Sequence, residues 1–154
     1  LLFAIAALAV SCSSDDGDSD ELSFEDWQSR VSDVCDEYEP KADAIEAEHG
    51  EPADRSALDA LIVDYIAYNE EYMDALLVVG VPGERADEVE TLYADLQASE
   101  DGAIKALAAV RSGDEAAFEV LSADIAERSE NLNEQAQEMG VPACDSRARV
   151  SQET

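Results

Sequence analysis

Histidine occurs once in the 154 residues and cysteine three times, and 9 basic residues face 38 acidic ones. Each shortage excludes a class of chemistry. Glu46-x-x-His49 has the spacing that di-iron bundles use on a helix, but such a site needs two of these motifs and further inward-facing glutamates. With His49 as the sole imidazole, no zinc set can be assembled, and no Cys-x-x-Cys is present to replace it. A nucleophilic Ser or Cys would have only His49 as an ordinary base, and His49 abuts Gly50 at a helix end, where it suits the C-terminal dipole. There is no Gly-rich phosphate loop and no period-two strand pattern. No catalytic residue, metal or cofactor is therefore expected. The scarcity of Lys and Arg excludes nucleic acid as a direct partner, and anionic headgroups would repel so acidic a chain.

Long apolar runs are also missing. The longest, Leu1 to Val10, is far short of the ~20 residues that span a bilayer but fits the ~7–15 of a secretory h-region. It is expected to be the later part of a signal peptide (residues 1–11) whose charged start lies upstream. The junction "AVSC" places Cys12 where a bacterial lipobox puts its lipidated cysteine, although the usual Leu three residues earlier is Ala9. "AVS" also fits small-residue cleavage by the ordinary signal peptidase, which would release a soluble protein. Lipidation would anchor the chain through Cys12 to the extracytoplasmic face of the cell membrane. It would also leave Cys35 and Cys144 as an even pair in an oxidising compartment.

After Cys12 the chain reads "SSDDGDSDEL". Residues 12–22 lack the apolar content to join a core and are expected to form an extended acidic tether. Asp16, Asp18 and Asp20 alternate as in an EF-hand loop, but its glycine would fall on Glu21 and its bidentate glutamate on Trp27. A solvated spacer is the reading that fits.

From Ser23 onward the pattern is helical. Ser23 is an N-cap with Asp26 in the capping-box position, and Phe24, Trp27, Val31, Val34, Tyr38, Ala42 and Ile45 recur at steps of three and four. Pro40 should kink or briefly break this helix. A second helix begins near Ser56 and carries apolar residues from Leu58 to Leu77, and "GVPGE" with Gly80 separates it from a third. The third shows Val89, Leu92, Tyr93, Leu96, Ile104, Leu107 and Val110. In "RSGDEAAF", Gly113 closes that helix and Asp114 caps a fourth, with Phe118, Leu121, Ile125, Leu132, Ala136 and Met139 on its inner face. The expected fold is all-α: an antiparallel up-down-up-down four-helix bundle over residues 23–145, with a disordered tail at 146–154. In that topology Cys35 and Cys144 lie at one end. Their bridge would close a loop of about 110 residues and contribute about 4–5 kcal/mol in the chain-entropy model.

The "AVSC" junction, the cysteine early in helix one, "ALAAVRSGDEAAF" and "NEQAQEMGVPACD" together resemble a large group of small secreted actinobacterial lipoproteins, mostly uncharacterised. In them a Gly-Asp hairpin precedes the last helix, which closes in a small-residue turn and a cysteine. The resemblance covers the chain ends and helices three and four best. It implies the bundle and the Cys35–Cys144 disulfide but no catalytic residue.

Two features bear on binding. The formal net charge of −29 is spread over every helix, which reads as a solvated surface; the sharper alternatives are a cation store or a docking face for a basic protein partner. Tyr65, Tyr68 and Tyr72 recur on helix two with Asn69 between them, and Tyr38 and Tyr93 lie on neighbouring helices. An apolar ring with a polar tip suits the lining of a small-molecule pocket, and equally a core whose hydroxyls reach the rim. The sequence thus leads to a non-catalytic envelope lipoprotein with a structural or protein-interaction role. The alternative is a surface-displayed module that binds a small molecule or cation.

Overall fold

A computed structural model describes residues 22–141. The signal segment, Cys12, most of the tether, Cys144 and the tail lie outside those residues. Four helices run in order: α1 (Phe24–His49), α2 (Arg55–Val79), α3 (Ala86–Ser112) and α4 (Glu115–Glu138). No strand occurs among the described residues.

The helix ends arise from local chemistry. Ser23 Oγ accepts the Asp26 N–H at 3.1 Å and donates to the Asp26 carboxylate at 2.8 Å, satisfying a first-turn donor of α1. Asp54, one residue before the helix, caps α2 by accepting from Ala57 N–H, and Asp114 does the same for α4 through Ala117 N–H. At the close of α3, Gly113 sits at φ 74° and its N–H reaches the Ala109 and Val110 carbonyls. Gly140 at φ 72° makes the corresponding turn after α4, where the Val141 N–H returns to Ala136 O at 2.9 Å. That turn drives Val141 fully into the core. The start of α3 has no side-chain cap; Arg85 occupies the left-handed region at φ 59° and pairs with Glu88 instead.

Pro40 does not break α1, which is helical without interruption from Phe24 to His49. Pro40 and Asp36, whose carbonyl loses its donor, are both toward the solvent side, so water can take over that bond. A second expectation is corrected at Ile104, which is 46 % exposed. The inner face of α3 passes instead through Gly102 and Ala106, and an added Cβ at Gly102 would lie 3.2 Å from Ile125. This close approach seats α4 on α3.

Cross-helix pairs fix the direction of each helix. Cys35 meets Tyr72, Lys41 meets Glu71, and His49 meets Asp64, so α1 and α2 are antiparallel. Tyr93 with Leu76, and Arg111 with Asp59, make α2 and α3 antiparallel. Gln135 bound to Asp95, and Ile125 packed at Gly102, do so for α3 and α4. The bundle is therefore up-down-up-down. It packs as a row, α1 on α2, α2 on α3 and α3 on α4, with no comparable pairing of α4 against α1. Those two outer helices are joined at one end, where Gln28 Nε2 donates to Met139 O at 2.6 Å.

The core is uneven along the bundle axis. Trp27, Val31, Cys35, Met73, Leu76, Val89, Leu92, Tyr93, Ala136, Met139 and Val141 form one buried cluster at the end where α1 begins and α4 finishes. Trp27 stacks on Phe24 with centroids 5.3 Å apart and donates its Nε1–H to Tyr93 Oη at 3.1 Å. Burial pushes the Tyr93 hydroxyl above the usual phenol range, so it keeps the proton it shares between the Leu76 and Gly80 carbonyls. Toward the other end, the large apolar residues Leu58, Leu61, Ile62, Phe118 and Ile125 are only half-buried.

Candidate functional site

Those half-buried residues surround a cavity of about 570 Å³ that receives side chains from all four helices. The volume falls in the range of small-molecule sites. The cavity arises from the row packing. Because α4 does not close on α1 along its length, the faces that would meet there border a cleft. α1 contributes Val31, Cys35, Ala42 and Glu46; α4 contributes Phe118, Ser122, Ile125, Ser129, Leu132 and Asn133. Leu92, Leu96 and Ala106 of α3 form part of the wall.

All four residues singled out on α2, Tyr65, Tyr68, Asn69 and Tyr72, line this cavity. The tyrosines form a connected aromatic group. Tyr68 and Tyr72 stack at 6.0 Å and 8°, Tyr65 stands edge-on to Tyr68 at 6.3 Å and 90°, and Tyr38 from α1 approaches Tyr72 at 5.5 Å. Helical spacing explains the series, since residues three and four apart share a face. Tyr38 Oη donates to Glu71 O at 3.1 Å, and Lys41 Nζ lies 3.7 Å from the Tyr38 ring centroid, a cation–π geometry. Tyr72 Oη lies 3.2 Å from Cys35 Sγ. Tyr93 does not join this group; it belongs to the Trp27 cluster.

Among the described residues Glu46 is the one charged side chain in the lining. Its Oε1 accepts from Tyr65 Oη at 3.1 Å, which holds the carboxylate at the rim. His49, one turn on, pairs with Asp64 at 2.6 Å, so the Glu46-x-x-His49 motif is divided between two cross-helix partners. Among the described residues no group of three or more His, Cys, Asp or Glu converges in a way that could hold a metal.

Sequence reasoning missed the polar residues of the α4 wall. Ser122 and Ser129 are seven residues apart and thus on one face, but serine at helical spacing looks like an exposed stripe. The buried asparagine is Asn133 at 6 % exposure, while Asn69 is half-buried. The signal for Asn133 was its place one residue after Leu132 and three before Ala136.

Beside the cavity, between α2 and α3, Glu100 is pushed above the usual carboxylate range by burial, with Glu70, Asp101 and Asp74 adding repulsion. The folded chain therefore takes up this proton more readily than the unfolded chain. Above the raised pKa the charge opposes folding, and the penalty fades as pH falls through that value toward the ordinary glutamate range. Glu100→Gln should stabilise the bundle at about pH 7 by a few tenths of a kcal/mol, on the scale of like-charge helix pairs. The gain should vanish at about pH 3, below the ordinary glutamate range, where both variants are close to neutral at this position. Urea denaturation at the two pH values checks it; a gain that persists in acid would show that charge is not the cause.

Protein-family models, curated proteins and solved structures were all compared with this chain, and none matches it.

Proposed function

We propose that this protein is a non-catalytic extracytoplasmic binding module, anchored by lipid at Cys12, that holds a small, largely apolar molecule in the cleft between its helices. The observation that carries the reading is the cavity of about 570 Å³ lined by aliphatic and tyrosine side chains. It favours ligand binding over a protein-interaction role. Among the described residues, exposed Val63, Ile104 and Val120 lie on α2, α3 and α4, and Leu77, Val78 and Val81 fall together around the end of α2. A macromolecular partner would ordinarily need a larger apolar face. The resemblance to small actinobacterial lipoproteins supports the same address for the chain.

Calorimetric titration of the full chain with decanol, an uncharged apolar probe, tests the cavity. Saturable one-to-one binding is expected; heat that rises without saturation would overturn the reading.

The anchor is supported by the apolar run ending at "AVSC", and by α1 beginning shortly after Cys12. Labelling with a fatty-acid probe in the native host should tag the wild type but not Cys12→Ser, which should leave the membrane fraction. Equal labelling of both would remove Cys12 as the attachment point. The Cys35–Cys144 disulfide belongs to this proposal as well. Cys35 is the sole cysteine among the described residues, so no pair at bridging distance occurs there. Support for the bridge comes from Val141, three residues before Cys144, which is packed into the same cluster as Cys35.

A further inference from the structure

The cavity's chemistry is one-sided, and that side selects a ligand class. Among the described residues its lining contains no Lys, Arg or His, and its one charged group is Glu46. We infer that the ligand is a cationic amphiphile, with an ammonium-type end held at Glu46, Tyr65 and Tyr68 and a hydrocarbon tail lying along α3 and α4; this rests on the cavity being a ligand site.

Four observations lead there. Glu46 is exposed at the rim and fixed by the Tyr65 hydroxyl, so its negative charge can face a cation without first ordering the side chain. Tyr65 and Tyr68 both line the cavity with Glu46, and an aromatic face is a surface that attracts an ammonium. The same aromatic group already carries a cation, since the Lys41 ammonium sits over Tyr38. Finally, the net charge of −29 raises the local concentration of cations and repels carboxylates and phosphates. An anionic head placed beside Glu46 would meet a like charge at the rim, and the described lining has no basic group to offset it.

The shape of the cavity accounts for the tail. The lining runs along α2 from Leu58 to Leu76, roughly 27 Å at 1.5 Å per residue. That elongated lining is one that an extended chain can follow. Leu96, Ile125 and Leu132 supply the apolar wall it would lie against.

The test uses three probes with one tail and different heads: decyltrimethylammonium, decanol and decanoate. Each is titrated into the full chain below its micelle concentration at moderate salt. Decyltrimethylammonium should bind one-to-one and about tenfold tighter than decanol, the sum of an exposed ion pair and a cation–π contact, with decanoate the weakest. Glu46→Gln should remove most of that advantage. Glu119→Gln, which removes one exposed acid on α4 outside the lining, should leave it in place and so isolates the general field. Equal affinity for decanol and decyltrimethylammonium would overturn the cationic class while leaving the cavity reading intact. A cation preference that survives Glu46→Gln would overturn the assignment of the head site. Failure of all three probes to saturate would overturn this inference together with the reading it rests on. Far-UV circular dichroism melts confirm that each variant is folded.

Discussion

Trp27→Ala should destabilise the bundle by about 3–5 kcal/mol, the usual cost of truncating a large core aromatic. Three losses combine at this position. The indole is 0 % exposed, so its whole surface returns to water on unfolding and a cavity replaces it in the variant. The stack on Phe24 disappears. Tyr93 Oη loses the donor at 3.1 Å that fills one of its lone pairs, while the hydroxyl must still serve two carbonyls at the end of α2. Against a total stability of about 5–15 kcal/mol for a domain, such a loss puts folding itself at risk. Trp27→Phe retains most of the packing and loses the N–H donor, so it should fall well short of the alanine cost. Because Trp27 is the only tryptophan, denaturation must be followed by circular dichroism. Ile125→Ala, in the wall of the cleft, should cost less, about 1–2 kcal/mol, since that side chain is already partly exposed. If the two alanine variants lose equal stability, the core is not concentrated around Trp27.

The second large effect has the opposite sign. Ser129→Leu should raise stability by about 1–2 kcal/mol while abolishing decanol binding. Leucine adds three carbons, each methylene worth ~0.8 kcal/mol when fully removed from water, and here removal is partial because the cleft is open on one side. It is also the better helix former. In a tightly packed core such an insertion would cost about 1–3 kcal/mol through strain, so the sign of the effect reports whether space exists at this face. Chemical denaturation gives the sign and titration gives the binding. A destabilised variant would mean that the helices close over this face in solution.

The sequence was most informative where one residue type does one local job. Ser23, Gly113 and Asp114 marked helix ends because each satisfies backbone groups within a turn or two, with no help from distant residues. Arg85 as the residue before α3 was not legible. A left-handed arginine is held there by Glu88 and by its guanidinium lying over Phe24 of α1, and the latter exists only after folding. Periodicity correctly placed Leu58, Leu61, Phe118 and Ile125 on inward faces. It could not say whether those faces touch, because contact depends on the spacing of helices and not on the order of residues within one. That is why the tyrosine stripe could be found from sequence and the cleft it borders could not. Asn133 and the two serines of α4 were hidden for a related reason: a polar residue on an inner face is indistinguishable from a surface residue until its neighbours are known.

The uneven core has a kinetic consequence. The main apolar cluster lies at the end where α1 starts and α4 finishes; the far half buries Ala106, Leu107, Ala109 and Val110 of α3, while Leu58, Leu61, Ile62, Phe118 and Ile125 there are partly wet. Its amides around Leu58 and Phe118 can open by local fluctuation, at a free energy well below that of unfolding the whole bundle. Backbone hydrogens there should exchange ahead of those around Val31 and Leu92. A molecule entering the cleft would then need only the loose half to part while the Trp27 end stays shut, so the same asymmetry that weakens one end of the bundle leaves that end able to admit and release a guest.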